Sequence, residues 1–295
     1  MAIYTTYDQV GKAEDVSDII SNISPTDTPF TTMIKTEKVS ARTYDYQEDT
    51  IGNGADNKLV EGADFTIGTQ AATTLRTGTT QILGLAFQVS ATADAIKTYG
   101  RAKETAYQLG KTLKLLKKHQ EFAYVGHHNA AAAGSSSAAR EMASASAIIS
   151  NSTDAGSNST DALTEAKFLV AAQAAYVAGS EPNVFMIKPA DAPIISAFTG
   201  ASGRYRNFND GTKTLVNVVD LYVSPFGEYK MVLNRHQLTT HAFLLDPAMF
   251  RQTVLRPVSR TLLAKTGDSD KHAVVMEVGL KHMNFGDSHM ITGLS

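Results

Sequence analysis

Gly110-Lys111-Thr112 has the residue types that end a phosphate-binding loop, where glycine N–H groups cradle phosphate and the lysine neutralises it. The first glycine of such a loop would stand at position 105, which is Thr105, and the tripeptide falls inside a run of helical periodicity. Backbone N–H groups inside a helix are already spent on the helix, so nucleotide binding is not expected there. His127 and His128 are adjacent, whereas a zinc-binding helix needs two histidines one turn apart with a glutamate between them, so they read as solvated loop histidines. Asp268 and Asp270 resemble the start of a calcium loop but lack its glycine and distal glutamate, and a surface turn explains them. The chain has no cysteine, which rules out thiolate nucleophiles, disulfides and cysteine-bound zinc or iron–sulfur sites. Neither a nucleophile elbow nor a dinucleotide fingerprint is present. The expectation is therefore a protein with no catalytic residues, no cofactor and no metal.

Composition narrows the remaining classes. With 295 residues and 43% hydrophobic content, the chain fills one large core or two modest ones. A net charge of −2 does not suit a protein that grips nucleic acid across its whole surface. Nowhere are there about 20 uninterrupted apolar residues, so no membrane partner is expected and the chain belongs in cytoplasm-like conditions.

The elements read as an α+β chain. Residues 1–34 are polar and turn-prone, with a short helix at most, about Ala13 to Ile23, and with Pro25 and Pro29 stiffening Ser24 to Phe30. Residues 35–90 alternate β-favouring side chains with glycines, which predicts a long two-stranded excursion. Ile96, Tyr99, Ala102, Ala106, Leu109, Leu113 and Leu116 recur at intervals of three and four, predicting one long helix from Asp94 to Val125 with Thr92 or Asp94 as its cap. Asn129 to Ser159 is rich in Ala, Ser, Gly and Asn and reads as a mobile linker, pinned locally by Met142, Ile148 and Ile149. A second helix is expected from Asp161 to Ala178, with Leu163, Ala166, Val170, Ala174 and Val177 on its core face and Gly179 as its stop. A short helix over Ala190 to Phe198 and strands follow, with a hairpin turning at Ser224-Pro225-Phe226-Gly227.

This order of segments resembles the major capsid proteins of tailed bacteriophages, which share the Hong Kong 97-like fold. The local motifs that carry the resemblance are Ile23 to Phe30, then Tyr44, Tyr46 and Asp49, then Glu61-Gly62-Ala63-Asp64 and Val89-Ser90-Ala91-Thr92. Leu255-Arg256-Pro257, Ala264 to Ser269 and Glu277-Val278-Gly279-Leu280 continue it in order, so it spans nearly the whole chain. Tyr46 stands where many relatives have tryptophan.

The resemblance implies an N-arm (1–34), an extended E-loop (35–90), a spine helix and linker of the P-domain (91–159), an A-domain (160–250) and C-terminal P-domain strands (251–295). It implies a subunit that forms hexamers and pentamers of an icosahedral head around double-stranded DNA in a virion assembled in the bacterial cytoplasm. The partners it implies are a separate scaffolding protein, a portal, a decoration protein and the packaged DNA on the inner face. An encapsulin-type compartment shell has the same fold and is the competing reading. In the resembled architecture the E-loop of one subunit lies across the P-domain of the next. Residues 37–64 carry seven acids against three bases and residues 94–121 seven bases against three acids, net −4 and +4. Expected inter-subunit contacts are therefore Pro25, Pro29 and Phe30 in an arm that clamps a neighbour, with Phe30 and Ile34 as its exposed apolar anchors, and Glu48, Asp49 and Glu61 facing Lys111, Lys114 and Lys118. The alternatives for the charges are two ordinary solvated faces, or helix lysines that face the packaged DNA.

Overall fold

A computed structural model describes residues 27–49, 54, 56–65, 68, 72–96, 103–156, 161–198 and 221–295. The elements up to the long helix are α1 (Pro29–Met33), β1 (Lys35–Lys38), β2 (Thr43–Glu48), β3 (Thr74–Thr79), β4 (Gln81–Ser90), α2 (Ala91–Ala95) and α3 (Glu104–Val125). Next come α4 (Ala145–Ile148), β5 (Asn151–Asp154), α5 (Glu165–Val177), β6 (Val184–Ile187), α6 (Ala192–Ser196), β7 (Leu221–Ser224) and β8 (Gly227–Leu233). The chain closes with β9 (Ala242–Leu245), β10 (Phe250–Leu262), β11 (Ser269–His282) and β12 (His289–Thr292).

The strands form a four-stranded sheet in the order β1-β10-β11-β4, a six-stranded sheet β5-β12-β9-β6-β8-β7 and the two-stranded ribbon β2-β3. Every residue of β6 and β9 is buried, because the six-stranded sheet is covered on both faces. Val184, Met186, Phe243 and Leu245 point into a core shared with α1, α3, α4 and the four-stranded sheet. Phe185, Ile187, Ala242 and Leu244 point into a second core under α5 and α6. Period-two alternation thus makes one sheet the shared wall of two cores.

Several elements differ from the sequence reading. The helix expected from Asp94 is two helices: α2 stops at Ile96, whose backbone is extended (φ −77°, ψ 134°), and the long one begins at Glu104. Asp94 nevertheless caps it from outside, accepting the Thr105 N–H at 3.0 Å, and that bond holds its carboxyl below the usual carboxylate range. Ile96 consequently lies exposed off the helix, while Tyr99 and Ala102 lie outside the described residues. Only β2 and β3 form the expected excursion, since β1 and β4 pair with β10 and β11 in the body.

The stretch from Asn129 is not a simple linker: it contains α4 and β5, and Met142, Ala145, Ile148 and Ile149 are core residues. β12, expected beside β10 and β11, lies between β5 and β9 instead. The second helix starts at Glu165 with Thr164 as its cap, and it is rotated from the expected face. Phe168, Ala171, Ala172 and Ala175 are buried, whereas Val170 and Val177 face out. An apolar residue on nearly every side leaves periodicity unable to choose, and the ring of Phe168 between Phe185, Tyr222 and Tyr229 decides the rotation.

Candidate assembly surfaces

The arm is held by a buried acid. Glu121, on the inner side of α3, is 0% exposed. Its carboxylate accepts the backbone N–H groups of Phe30 and Thr31, both at 2.8 Å, the Thr31 hydroxyl at 2.6 Å and the Asn234 amide at 2.7 Å. It satisfies the unpaired N–H groups that the first turn of α1 would otherwise bury, and Pro29 removes one more such donor from that turn. Phe30 is 1% exposed and packs edge-on against Tyr124 and Phe250, with centroids 5.9 and 5.4 Å away. Ile34 is buried in the same core. The arm was expected to leave both side chains exposed for a neighbour; they are anchored inside their own subunit, and Pro29 is half-buried beside them. Pro25 lies outside the described residues.

The ribbon is tied down near both of its ends. Tyr44 donates its hydroxyl to the Leu280 carbonyl at 2.8 Å, and burial pushes that phenol up to about 12. Glu48 accepts the Phe285 N–H at 2.8 Å and Arg76 Nε at 3.2 Å, and the Arg76 guanidinium lies 4.1 Å from the Phe285 ring centroid. Glu48 is therefore committed inside the subunit, which corrects its expected part in steering a neighbour. Asp49 and Glu61 are exposed. Past the ribbon, Val60 O accepts the Ala63 N–H at 3.0 Å in a turn whose third residue, Gly62, has φ 82°, a conformation that favours glycine. This turn exposes Val60 (80%) and Phe65 (83%) next to Glu61 and Asp64, an apolar surface that the described residues do not cover.

The long helix divides its lysines. Lys111 and Lys118 lie on an outer stripe with Leu115 and Phe122, all three or four residues apart, where Phe122 is 51% exposed and stacks on His127. Lys114 and Lys117 instead line a groove of about 740 Å³ between α3 and β10. Its apolar lining includes Leu113, Leu116, Val254, Val258, Met276 and Val278, and its cations are Lys38, Lys114, Lys117 and Arg256, with no carboxylate among the described lining residues. Neither sheet nor groove signals itself in the sequence, because β10 reaches α3 only through long-range pairing. The same holds for Glu277, buried at 3% exposure between Arg140, Arg256 and Thr80, which joins the stretch after α3 to β10 and β11.

Gly110-Lys111-Thr112 lies in the helix interior, with the Thr112 hydroxyl donating to the Gln108 carbonyl at 2.7 Å. His128 meets Ser146 at 3.1 Å, and Asp270 pairs with Lys265 at 3.4 Å.

The subunit secures its own arm from Phe30 onward and its ribbon, while an apolar turn, a basic helix stripe and an apolar groove are left uncovered by the described residues. The profile of the SU10 major capsid protein family matches residues 3–295. The chain belongs to that family. The major capsid protein of Escherichia phage Phieco32 is 29% identical to it over 331 aligned positions, spanning 96% of this chain and 94% of that one. Among solved structures, the capsid of cyanophage A-1(L) superposes with a TM-score of 0.67 at 12% identity, covering 98% of each chain. An encapsulin from Synechococcus elongatus superposes at 0.62 with 10% identity, covering 100% of this chain and 97% of that one. At such identities these structures establish the Hong Kong 97-like fold of the capsid protein. The choice between phage head and compartment shell rests on the family and on the phage relative, and both favour the phage head.

Proposed function

We propose that this capsid protein assembles as hexamers and pentamers into an icosahedral head that encloses double-stranded DNA, with a structural and not a catalytic role. The supporting observation is the exposed apolar turn at Val60 and Phe65, carried beyond a ribbon that is fixed to the body, a surface that no described residue of the subunit buries and that a neighbouring copy can cover. The ribbon of one copy crosses the body of the next, and the exposed acids Asp49, Glu61 and Asp64 orient it against Lys111 and Lys118. Lys114 belongs to the groove side of the helix and contributes less to that field. Assembly takes place in the bacterial cytoplasm with a separate scaffolding protein, a portal, a decoration protein outside and DNA against the inner face. The division into N-arm (1–34), E-loop (35–90), spine helix and linker (91–159), A-domain (160–250) and C-terminal strands (251–295) is retained as the working map, with β12 moved to the A-domain sheet.

Negative-stain microscopy of the purified chain tests the shell, and closed particles of uniform diameter are the expected result. Nuclease-protected DNA in particles from infected cells separates a head from a cargo compartment. A chain that stays monomeric under all assembly conditions would remove the proposal.

A further inference from the structure

The groove between α3 and β10 has a chemistry that defines its occupant. Its walls are apolar, its cations are Lys38, Lys114, Lys117 and Arg256, and the three lysines make no ion pair among the described residues. Arg256 keeps one nitrogen on Glu277 but remains largely exposed. A segment that fits such a groove presents apolar side chains on one side and carboxylates flanking them.

The chain contains such a segment. Val16, Ile19, Ile20 and Ile23 recur at intervals of three, one and three, one face of a helix, and Glu14, Asp15 and Asp18 lie between and beside them. Residues 1–26 as a whole carry four acids and one base. Position supports the same pairing. Thr31 lines the groove and is pinned there by its hydrogen bonds to Glu121. Only Ser24 to Thr28 separate Ile23 from the pinned turn, a reach of at most about 17 Å. A short tether of this kind gives the segment a high effective concentration at the groove of its own chain.

The ribbon turn at Val60 to Phe65 also combines apolar and acidic residues, but its own root lies on the opposite face of the sheet. Thr253 and Gly279 are paired and face Tyr44, while the next pair, Val254 and Val278, faces the groove.

We propose that the groove is the seat of residues 13–23 of the same chain, so that the arm covers its own subunit's α3–β10 surface before assembly. The proposal rests on the capsid reading for its purpose but not for its test. The test uses the absence of cysteine from the chain. The full-length double variant Ile20→Cys with Val258→Cys, dilute and unassembled, is treated with a short bifunctional thiol reagent. Ile20→Cys with Val177→Cys, an exposed position on α5, is the control pair.

The expected result is an intrachain cross-link for the first pair in large excess over the control. Adding Lys114→Glu and Lys117→Glu should reduce it about tenfold at low salt, with the circular dichroism spectrum unchanged. A yield no greater than the control overturns the seat. Cross-links that form only between chains overturn the same-chain occupant and assign the groove to a neighbouring copy's arm. Cross-linking of Phe65→Cys to Val258→Cys in place of the first pair assigns it to the ribbon turn and also overturns the proposal. Microscopy of the unmodified chain reads the shell separately, so loss of the cross-link with normal particles, or the reverse, shows which of the two has failed.

Discussion

The Glu121 carboxylate accepts the backbone N–H of Phe30 at 2.8 Å across 91 positions of sequence. Glu121 is completely buried, and all four of its described donors are neutral: two backbone N–H groups, a hydroxyl and an amide. An acid buried in this way is held by hydrogen bonds, and the helix turn it caps contributes a favourable dipole. The relationship makes the arm part of the core from Phe30 onward.

Replacing Glu121 by alanine should leave those donors without their partner. Each costs about 1–3 kcal/mol while it stays buried, so the subunit should lose roughly 3 kcal/mol or more and release its arm. The urea midpoint is expected to fall, and a protease should cut near Thr28 sooner. A variant that melts and digests like the parent would show that the cap carries no stability.

Truncation should divide sharply at the anchor. Removing residues 1–26 leaves Phe30 and the cap in place, so the subunit should still fold, losing only the smaller contribution of the segment seated in the α3–β10 groove. Phe30→Ala should cost about 3–5 kcal/mol, because the ring is 1% exposed between Tyr124 and Phe250. Denaturation of the soluble subunits, compared with particle yield, separates an assembly defect from a folding defect.

Charge reversal should have two different outcomes along the ribbon. Glu61→Lys with Asp64→Lys is expected to slow assembly at low salt while leaving subunit melting unchanged, since both residues are exposed. Exposed pairs are worth only about 0.2–1 kcal/mol each and are screened beyond about 8 Å at physiological salt, so the effect should fade as salt is added. Partial rescue by Lys111→Glu and Lys118→Glu is expected in light scattering. Glu48→Lys should instead lower the melting temperature, because it breaks the bonds to Phe285 and Arg76. Assembly rates indifferent to both charge and salt would remove the steering mechanism.

Acid should weaken the subunit through His282. Burial depresses its imidazole from 6.5 to about 4; the ring packs at a tilt against Phe250, with centroids 4.2 Å apart, and its Nε2 meets the Ser288 hydroxyl. The folded state therefore binds its proton later than the unfolded state. This stability is fully present above pH 6.5 and is lost as pH falls from 6.5 towards 4, by roughly 3 kcal/mol. His241 and His289 are depressed by burial in the same direction. Asp191 and Asp287 are raised by burial and oppose the trend, since their protonation favours the folded state. The slope of the urea midpoint between pH 6.5 and 4 should flatten in His282→Gln, and an unchanged slope would exclude this histidine as its source.

Local chemistry alone carried much of this protein. The α+β class, the helix through Leu109 to Val125, the hairpin at Ser224 to Gly227 and the stop at Gly179 were all legible, because periodicity and turn preferences act within a few residues. The ordered motifs also pointed to the capsid family. What sequence could not decide was partnership over distance. Whether Phe30 was an exposed anchor or a core residue depended on Glu121 and Phe250, and whether Glu48 steered a neighbour or fixed its own ribbon depended on Phe285, 237 positions away. The rotation of α5 and the placement of β12 were undetermined for the same reason. An apolar side chain states that it must be buried, but which surface buries it is settled only when distant strands pair and close the space around it.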